Sequence, residues 1–262
     1  MATRSALSAA LLLVSLAPCL APVTAVAQSS LGITSGGLVS ITVTSSESEG
    51  ALGAAAGWVD VTITEAHGMQ LGSALTDTPA GVLGHLDMHL YMTPRPGHKY
   101  GLYGQVSDLD NAHFTLGAVG AEAIFAIGPE TAIEGRGGIG IAKRSSAPTS
   151  LDFIFVGAAL SHDVSDRLGL GFAIEIAEFD ETALRAYGYT AMAEAEYRPL
   201  GRALSLTAGV GISGLEGRDG RPSEALLQLG MRYTFGARTA GSARRPFRRA
   251  DPYSPLALRG LF

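Results

Sequence analysis

The chain has 262 residues, of which 47% are hydrophobic and only 16% are charged, and its formal net charge is −5 at pH 7. Such a charge offers no basic surplus to neutralise phosphates, so nucleic acid is not an expected partner. The single cysteine, Cys19, lies in a segment that we predict to be removed. Disulfides and cysteine-ligated metals are therefore excluded from the mature protein.

The first 27 residues have the three parts of a secretory signal peptide. Arg4 provides the positively charged N-terminal region, and Ala6–Leu16 is the apolar region. Ala25–Ala27 is a small-residue cleavage site, so we predict cleavage after Ala27. A membrane-anchoring helix is the competing interpretation, but the apolar run is too short to span a bilayer. A lipoprotein signal ending at Cys19 is a further alternative, although Pro18 departs from that pattern.

The middle of the chain contains eight segments that are compatible with β-strands, separated by turn-forming residues. They cover residues 37–44, 58–64, 69–76, 82–92, 99–109, 112–126, 131–142 and 151–163.

The last third of the body contains four segments in which large apolar residues alternate with small or polar ones. Between Leu168 and Ile176 every even position is large and apolar, and the same period-two pattern covers 187–198, 204–213 and 227–235. A period of two sends successive side chains to opposite faces of a strand. Because the turns between these segments are short, consecutive strands are expected to pair antiparallel.

These segments together predict an all-β, antiparallel, up-and-down barrel of about 12 strands that crosses a membrane. Ten strands is the alternative, since residues 65–68 could be a bulge within one long strand and the first strand is isolated. An even count would leave both ends of the chain on the periplasmic side.

A membrane barrel is favoured over a soluble periplasmic β-sandwich by strand length and by the polarity of the two faces. The better segments have about ten residues, as a tilted membrane-crossing strand requires. Their second face is rich in Gly and Ala, which suits a crowded barrel interior better than a water-exposed surface. Tyrosines near strand ends are candidates for the interfacial aromatic girdles. They are Tyr91, Tyr100, Tyr187, Tyr197 and Tyr233.

With these features the sequence resembles the Gram-negative outer-membrane β-barrel proteins, a porin-like superfamily. The resemblance rests on a last strand that ends in alternating hydrophobic residues and a closing aromatic, as in the terminal assembly signal of that family. Those residues are Leu227, Leu229, Met231, Tyr233 and Phe235. It implies a barrel over residues 28–235 in the outer membrane, with membrane lipids and the barrel-assembly machinery as partners.

Charged and polar residues on the small-residue faces are predicted to point into the barrel, where they either form a salt-bridged plug or line a narrow aqueous pore. We favour the plug slightly. The predicted interior residues are His85, Asp87, His89, Glu122, Glu134, Arg136, Glu175, Glu194, Glu196, Arg198 and Arg232.

No metal, cofactor or catalytic residue is predicted. Positions two apart on a strand are about 6.8 Å apart and positions four apart are twice that, so His85 and His89 are too distant to share one ion, and a polar ladder is the preferred interpretation. Two glycine-rich stretches, 135–140 and 209–214, match a dinucleotide fingerprint but lie within strands. A hydrolase would need Ser, His and a polar partner from neighbouring strands, and Ser161 and His162 face opposite ways.

The segment after the last strand, 236–262, is basic and is predicted to be a disordered tail. Its arginines offer contact with anionic lipid or with periplasmic cell-wall polymer. They are Arg238, Arg244, Arg245, Arg248, Arg249 and Arg259.

Three functions are compatible with the sequence. A passive barrel, acting as structure or as a porin-like narrow pore for an unknown substrate, is preferred over a periplasmic sandwich that binds a ligand and over an outer-membrane lipid-modifying enzyme.

Overall fold

The computed structural model describes residues 35–110, 114–144, 150–180, 184–199, 203–236 and 245–259. The predicted signal peptide and its cleavage after Ala27 lie outside these residues. No helix in the described ranges is long and apolar enough to span a bilayer.

Twelve strands and one short helix make up the described chain. The strands are β1 Ser35–Ser46, β2 Gly50–Thr62, β3 His67–Thr78, β4 Gly81–Arg95, β5 His98–Leu109, β6 Phe114–Ala126, β7 Thr131–Arg144, β8 Leu151–Ser165, β9 Leu168–Asp180, β10 Arg185–Tyr197, β11 Leu204–Gly217 and β12 Arg221–Gly236; the helix α1 is Ser254–Ala257.

Each strand pairs antiparallel with the next, and β1 closes the sheet by pairing with β12 from Gly36 opposite Gly236 to Ser46 opposite Leu226. The prediction of an up-and-down barrel with 12 strands is confirmed, and the alternative of ten is wrong. A two-sheet sandwich is excluded because the strands form one closed sheet.

The outer surface of the barrel is apolar because large hydrophobic side chains alternate outward along the strands. Leu102 is 67% exposed, and Ile139 and Val210 are each 61% exposed. Exposing such a continuous apolar surface to water would be unfavourable, whereas contact with apolar lipid tails carries no such cost. The exterior therefore has the chemistry of a membrane-facing barrel.

β2 is longer than the sequence predicts, beginning at Gly50 instead of residue 58. Its first eight residues, Gly50–Gly57, contain only Gly, Ala and one Leu. Small residues occupy both faces there, so the period-two contrast that identifies a strand is missing. Pairing with β1 and β3 specifies the strand instead.

We call the end of the barrel where β1 begins and β12 ends the terminal rim, and the opposite end the distal rim. The turns 63–66, 96–97 and 127–130 lie at the terminal rim, because they follow even-numbered strands. The turns 79–80 and 218–220 lie at the distal rim.

Residues 245–259 lie inside the barrel, which differs from the disordered tail that the sequence predicts. Phe247, Ala250, Tyr253 and Leu256 are each at most 2% exposed. The prediction missed this placement because it considered only the charge of the segment. Apolar residues spaced three apart are interleaved with its arginines, and the barrel interior buries them.

Candidate functional site: the barrel lumen

Residues 245–259, which we call the lumenal segment, run through the barrel from one rim to the other. Arg245 is bound at the terminal rim, where its Nη2 donates to the carbonyl of Glu130 at 3.1 Å and to Asp163 at 2.8 Å. Arg259 is bound at the distal rim, where its Nη2 donates to the carbonyls of Ser213 and Pro222, each at 3.0 Å. The segment is therefore fastened at both ends.

Between the rims, side chains of the barrel wall bind the main chain of the lumenal segment. Gln70 on β3 accepts from the amide of Phe247 and donates to its carbonyl, both at 2.9 Å. Glu175 on β9 accepts from the amide of Asp251 at 2.6 Å. These contacts replace the hydrogen bonds to water that an extended chain loses on entering the lumen.

The predicted interior residues Glu134 and Arg136, both on β7, fix the main chain of Arg248 in the same way. Glu134 Oε1 accepts from its amide at 3.1 Å, and Arg136 Nη1 donates to its carbonyl at 2.6 Å. Arg136 also lies 3.3 Å from Glu175, so a charge pair supports the contact. The charges on β7 and β9 thus hold the lumenal segment as well as each other.

Phe247 is the first aromatic anchor of the segment. Its ring stacks on His89 at 5.6 Å between centroids and an angle of 10°, and it meets Tyr91 edge-on at 6.0 Å. The ammonium of Lys99 lies 4.4 Å from the same ring. This environment provides both apolar burial and cation–π attraction. Tyr91 faces the lumen here, so its assignment to an outer aromatic girdle is wrong.

Tyr253 is the second anchor, and it lies in the distal half of the lumen. Its hydroxyl is 2.8 Å from His85 Nδ1 and 3.0 Å from Ser107 Oγ. Tyr253 is 2% exposed, so these contacts satisfy a hydroxyl that water does not reach.

An apolar cluster surrounds the second anchor. Ala250, Leu256 and Ala257 of the segment pack with wall residues from β4 to β11. The wall members include Leu83, Leu109, Phe114, Leu116, Phe153, Phe155 and Phe179.

His85, Asp87, His89 and Glu122 form a continuous polar ladder across β4 and β6. Asp87 lies 3.2 Å from His85 Nε2 and 2.9 Å from His89 Nε2, and Glu122 lies 2.6 Å from His89 Nδ1. The carboxylate of Asp87 bridges the two histidines. Across the described ranges, no group of three His, Cys, Asp or Glu side chains is placed to hold a metal.

The structure brings a serine, a histidine and an aspartate together, which sequence reasoning did not foresee. Ser107 Oγ lies 2.7 Å from His85 Nδ1, and Asp87 lies on the other side of the ring. The register explains this, because Ser107 on β5 pairs directly with His85 on β4. However, Tyr253 covers both groups, and the adjoining cavity of about 40 Å³ holds little more than water.

Glu194, Glu196, Arg198 and Arg232 face the lumen on the opposite wall, formed by β10, β12 and the turn after β10. Arg232 lies 2.7 Å from Glu194, and Arg198 lies 3.2 Å from Glu196. Arg198 also reaches Asp163 at 2.9 Å. All four remain partly accessible, so this wall keeps its charges paired but hydrated.

The wall formed by β1, β2 and β12 is also partly accessible and carries mostly small side chains, with Trp58 and Gln228 as the larger ones. Outward Ile41 and Val59 fix the alternation, so the even positions of β1 and β2 face inward. The inward, partly accessible positions include Ser40, Thr42, Thr44, Ala54, Ala56, Trp58 and Gln228. The lumenal segment therefore fills one side of the lumen and leaves the other side open.

The structure thus places all eleven predicted interior residues on the inner face. Sequence reasoning missed Gln70, Lys99 and the lumenal segment itself. One signal was available: inward positions on β5, β6, β8 and β9 include Leu and Phe residues, which a water-filled pore would not expose. These inward positions are apolar because they pack against the apolar residues of the lumenal segment.

The residues of the predicted assembly signal lie on the outer face of β12, all at least 38% exposed. Their recognition by assembly machinery stays a prediction. Contact of the tail with cell-wall polymer or anionic lipid also stays a prediction. The structure gives Arg245 and Arg259 partners in the barrel, and Arg238 and Arg244 lie outside the described residues.

No protein-family model matches the chain, and a search of curated proteins found no relative. Solved structures do match. The NanC porin superposes with a TM-score of 0.59 at 6% identity, over 74% of this chain and 98% of its own. The KdgM porin superposes with a TM-score of 0.53 at 6% identity, over 76% of this chain and 99% of its own. The fold is that of an outer-membrane barrel.

A further match is weaker. OmpT, an outer membrane protein of Vibrio cholerae, gives a TM-score of 0.45 at 11% identity over 78% of this chain and 97% of its own. At 6% identity the likeness to the two porins concerns the fold alone, and the function has to be argued from the lumen.

Proposed function

We propose that the protein is a narrow, porin-like channel of the outer membrane through which small polar solutes diffuse passively. The observation that carries this proposal is the asymmetry of the lumen. One side is filled by the lumenal segment, and the other side is lined by small residues and paired, partly accessible charges. A barrel that served only as structure would have no need to keep that second side hydrated.

The chemistry of the open side supports passage of polar solutes. Hydroxyl groups of Ser40 and Thr42 and the amide of Gln228 offer weak, exchangeable hydrogen bonds, as conduction requires. Glycines at 209, 211 and 230 have no side chains of their own, and Met192, Thr207 and Thr42 pack over them. The acidic and basic side chains of the wall are paired with each other, so the wall itself does not bind anionic or cationic solutes strongly.

The proposal includes no catalytic activity. The Ser107 and His85 contact is the arrangement closest to a hydrolytic site, and it lies beneath Tyr253 in the apolar cluster. A lipid-modifying enzyme would need its nucleophile open to the bilayer, whereas Ser107 is 1% exposed.

Export and membrane insertion complete the proposal. The signal peptide would be cleaved after Ala27, and the apolar outer face would contact outer-membrane lipid. The alternating residues at the end of β12 would be read by the barrel-assembly machinery.

Single-channel recording of the full mature chain in a planar bilayer tests the proposal. We expect small, discrete conductance steps, well below those of an unobstructed 12-stranded barrel. Folding of the same sample would be verified by heat-modifiable migration on a denaturing gel. A folded sample without openings would instead support the alternative of a closed structural barrel.

A further inference from the structure

We propose that Arg248, supplied by the lumenal segment, is the residue that gives the channel a preference for small inorganic anions over cations. This inference deepens the proposed function, and it rests on the open side of the lumen being the route. Arg248 belongs to the lumenal segment, and the selectivity would therefore not be set by a residue of the barrel strands.

In the part of the chain that the structure describes, Arg248 is held through its main chain. Glu134 accepts from its amide at 3.1 Å and Arg136 donates to its carbonyl at 2.6 Å, so β7 fixes the position of the backbone. Its side chain is exposed, although residues on both sides of it in the segment, Phe247 and Ala250, are buried. The guanidinium therefore extends from the filled side into the open side.

The guanidinium lies between the two walls. Its charged neighbours are Glu134 and Arg136 of β7, Glu194 of β10 and Arg232 of β12, two acids and two bases. Its main-chain partner Glu134 also lies 3.8 Å from Arg136, and Glu194 is paired with Arg232 at 2.7 Å. Among the described residues, Arg248 itself makes no ion pair within 4.0 Å.

Other charges on the open side are compensated locally. Glu196 lies 3.2 Å from Arg198 and 3.9 Å from Arg232. An ion that enters this side therefore meets paired charges on the wall and one unpaired positive charge on the segment. In a confined passage between low-dielectric walls, such a charge concentrates ions of opposite sign.

The experiment compares full-length wild type with Arg248→Gln and Arg248→Glu in a potassium chloride gradient across a planar bilayer. Zero-current potentials give the ratio of chloride to potassium permeability. We expect a ratio on the order of threefold in wild type, close to unity in Arg248→Gln, and inverted in Arg248→Glu. Arg249→Gln is the matched control, because Arg249 is paired with Asp251 at 3.4 Å.

Equal permeability ratios in wild type and both Arg248 variants would overturn the inference. So would an Arg249→Gln variant that loses selectivity to the same extent, since the effect would then follow net charge. Heat-modifiable migration of each variant verifies that the barrel is folded.

A second measurement does not require conductance, so it separates this inference from the proposed function. Trp58 is the only tryptophan and faces the lumen from β2, partly accessible. Iodide should quench its fluorescence more than caesium does in wild type, and Arg248→Gln should remove that difference. If the wild-type protein shows this difference in quenching but no conductance, only the proposed function is contradicted. The same iodide-to-caesium ratio in both proteins would contradict the role of Arg248.

Discussion

The wall side chains that hold the lumenal segment act mostly on its main chain, so they recognise the path of the segment more than its sequence. Gln70, Glu134 and Glu175 each bind a backbone amide in it. Side-chain specificity comes from the two aromatic anchors, Phe247 and Tyr253, and from the two end arginines, Arg245 and Arg259. At the residue scale, the fit of the segment therefore depends on these two rings and two guanidinium groups.

Replacing Phe247 by Ala tests the first anchor. The change removes a ring that is 2% exposed and stacked on His89, so we expect a loss of about 3 kcal/mol in the free energy of unfolding. Urea unfolding of the protein in lipid vesicles measures it. Leu102→Ala is the control, because Leu102 is 67% exposed on the outer face and its loss should cost less. Equal losses would argue against an anchoring role for Phe247.

Adjacent residues of one strand face two different solvents, and β12 shows this clearly. Leu229 is 57% exposed on the outer face, whereas Gln228 points inward and donates to Thr44 at 3.1 Å. At the scale of the element, the same substitution is therefore expected to have different effects at two consecutive positions.

We expect Leu229→Arg to lower the free energy of unfolding by about 2–4 kcal/mol, since it places a charge in the lipid, and Gln228→Arg to cost about 1 kcal/mol or less. The same vesicle unfolding assay measures both variants. If Gln228→Arg proved the more damaging of the two, the assignment of inner and outer faces would be reversed.

The strands differ in how far the sequence predicts them. β9 and β12 alternate between large apolar and small residues, and their sequence alone identifies both faces. The first half of β2 is composed of small residues, so its strand is specified by its neighbours. The contact between Ser107 and His85 depends on register between strands, which no local pattern contains.

The lumenal segment was the least predictable element. Its arginines suggest a solvated tail, and only its contacts with the wall explain its burial. Arg245 is neutralised by Asp163 at 2.8 Å, and Arg259 lies 3.6 Å from Glu224. Because those acids come from strands far away in the sequence, charge composition of the segment alone gives the opposite expectation.

At the scale of the whole molecule, the closed sheet and the apolar exterior predict a heat-resistant membrane protein. We expect it in the outer-membrane fraction and expect the unheated sample to migrate faster than the boiled one on a denaturing gel, because a closed barrel stays compact. Recovery from the soluble periplasmic extract, with a single migration position, would contradict the membrane assignment.

The path of the lumenal segment has a consequence for the sidedness of the chain. Twelve strands return the chain to the rim where it started, and the passage of residues 245–259 then adds one more crossing. Ser35 and Arg259 consequently face different compartments, although a barrel with an even strand count would leave both ends on one side. If Ser35 faces the periplasm, a peptide tag attached after Arg259 would be readable by antibodies on intact cells.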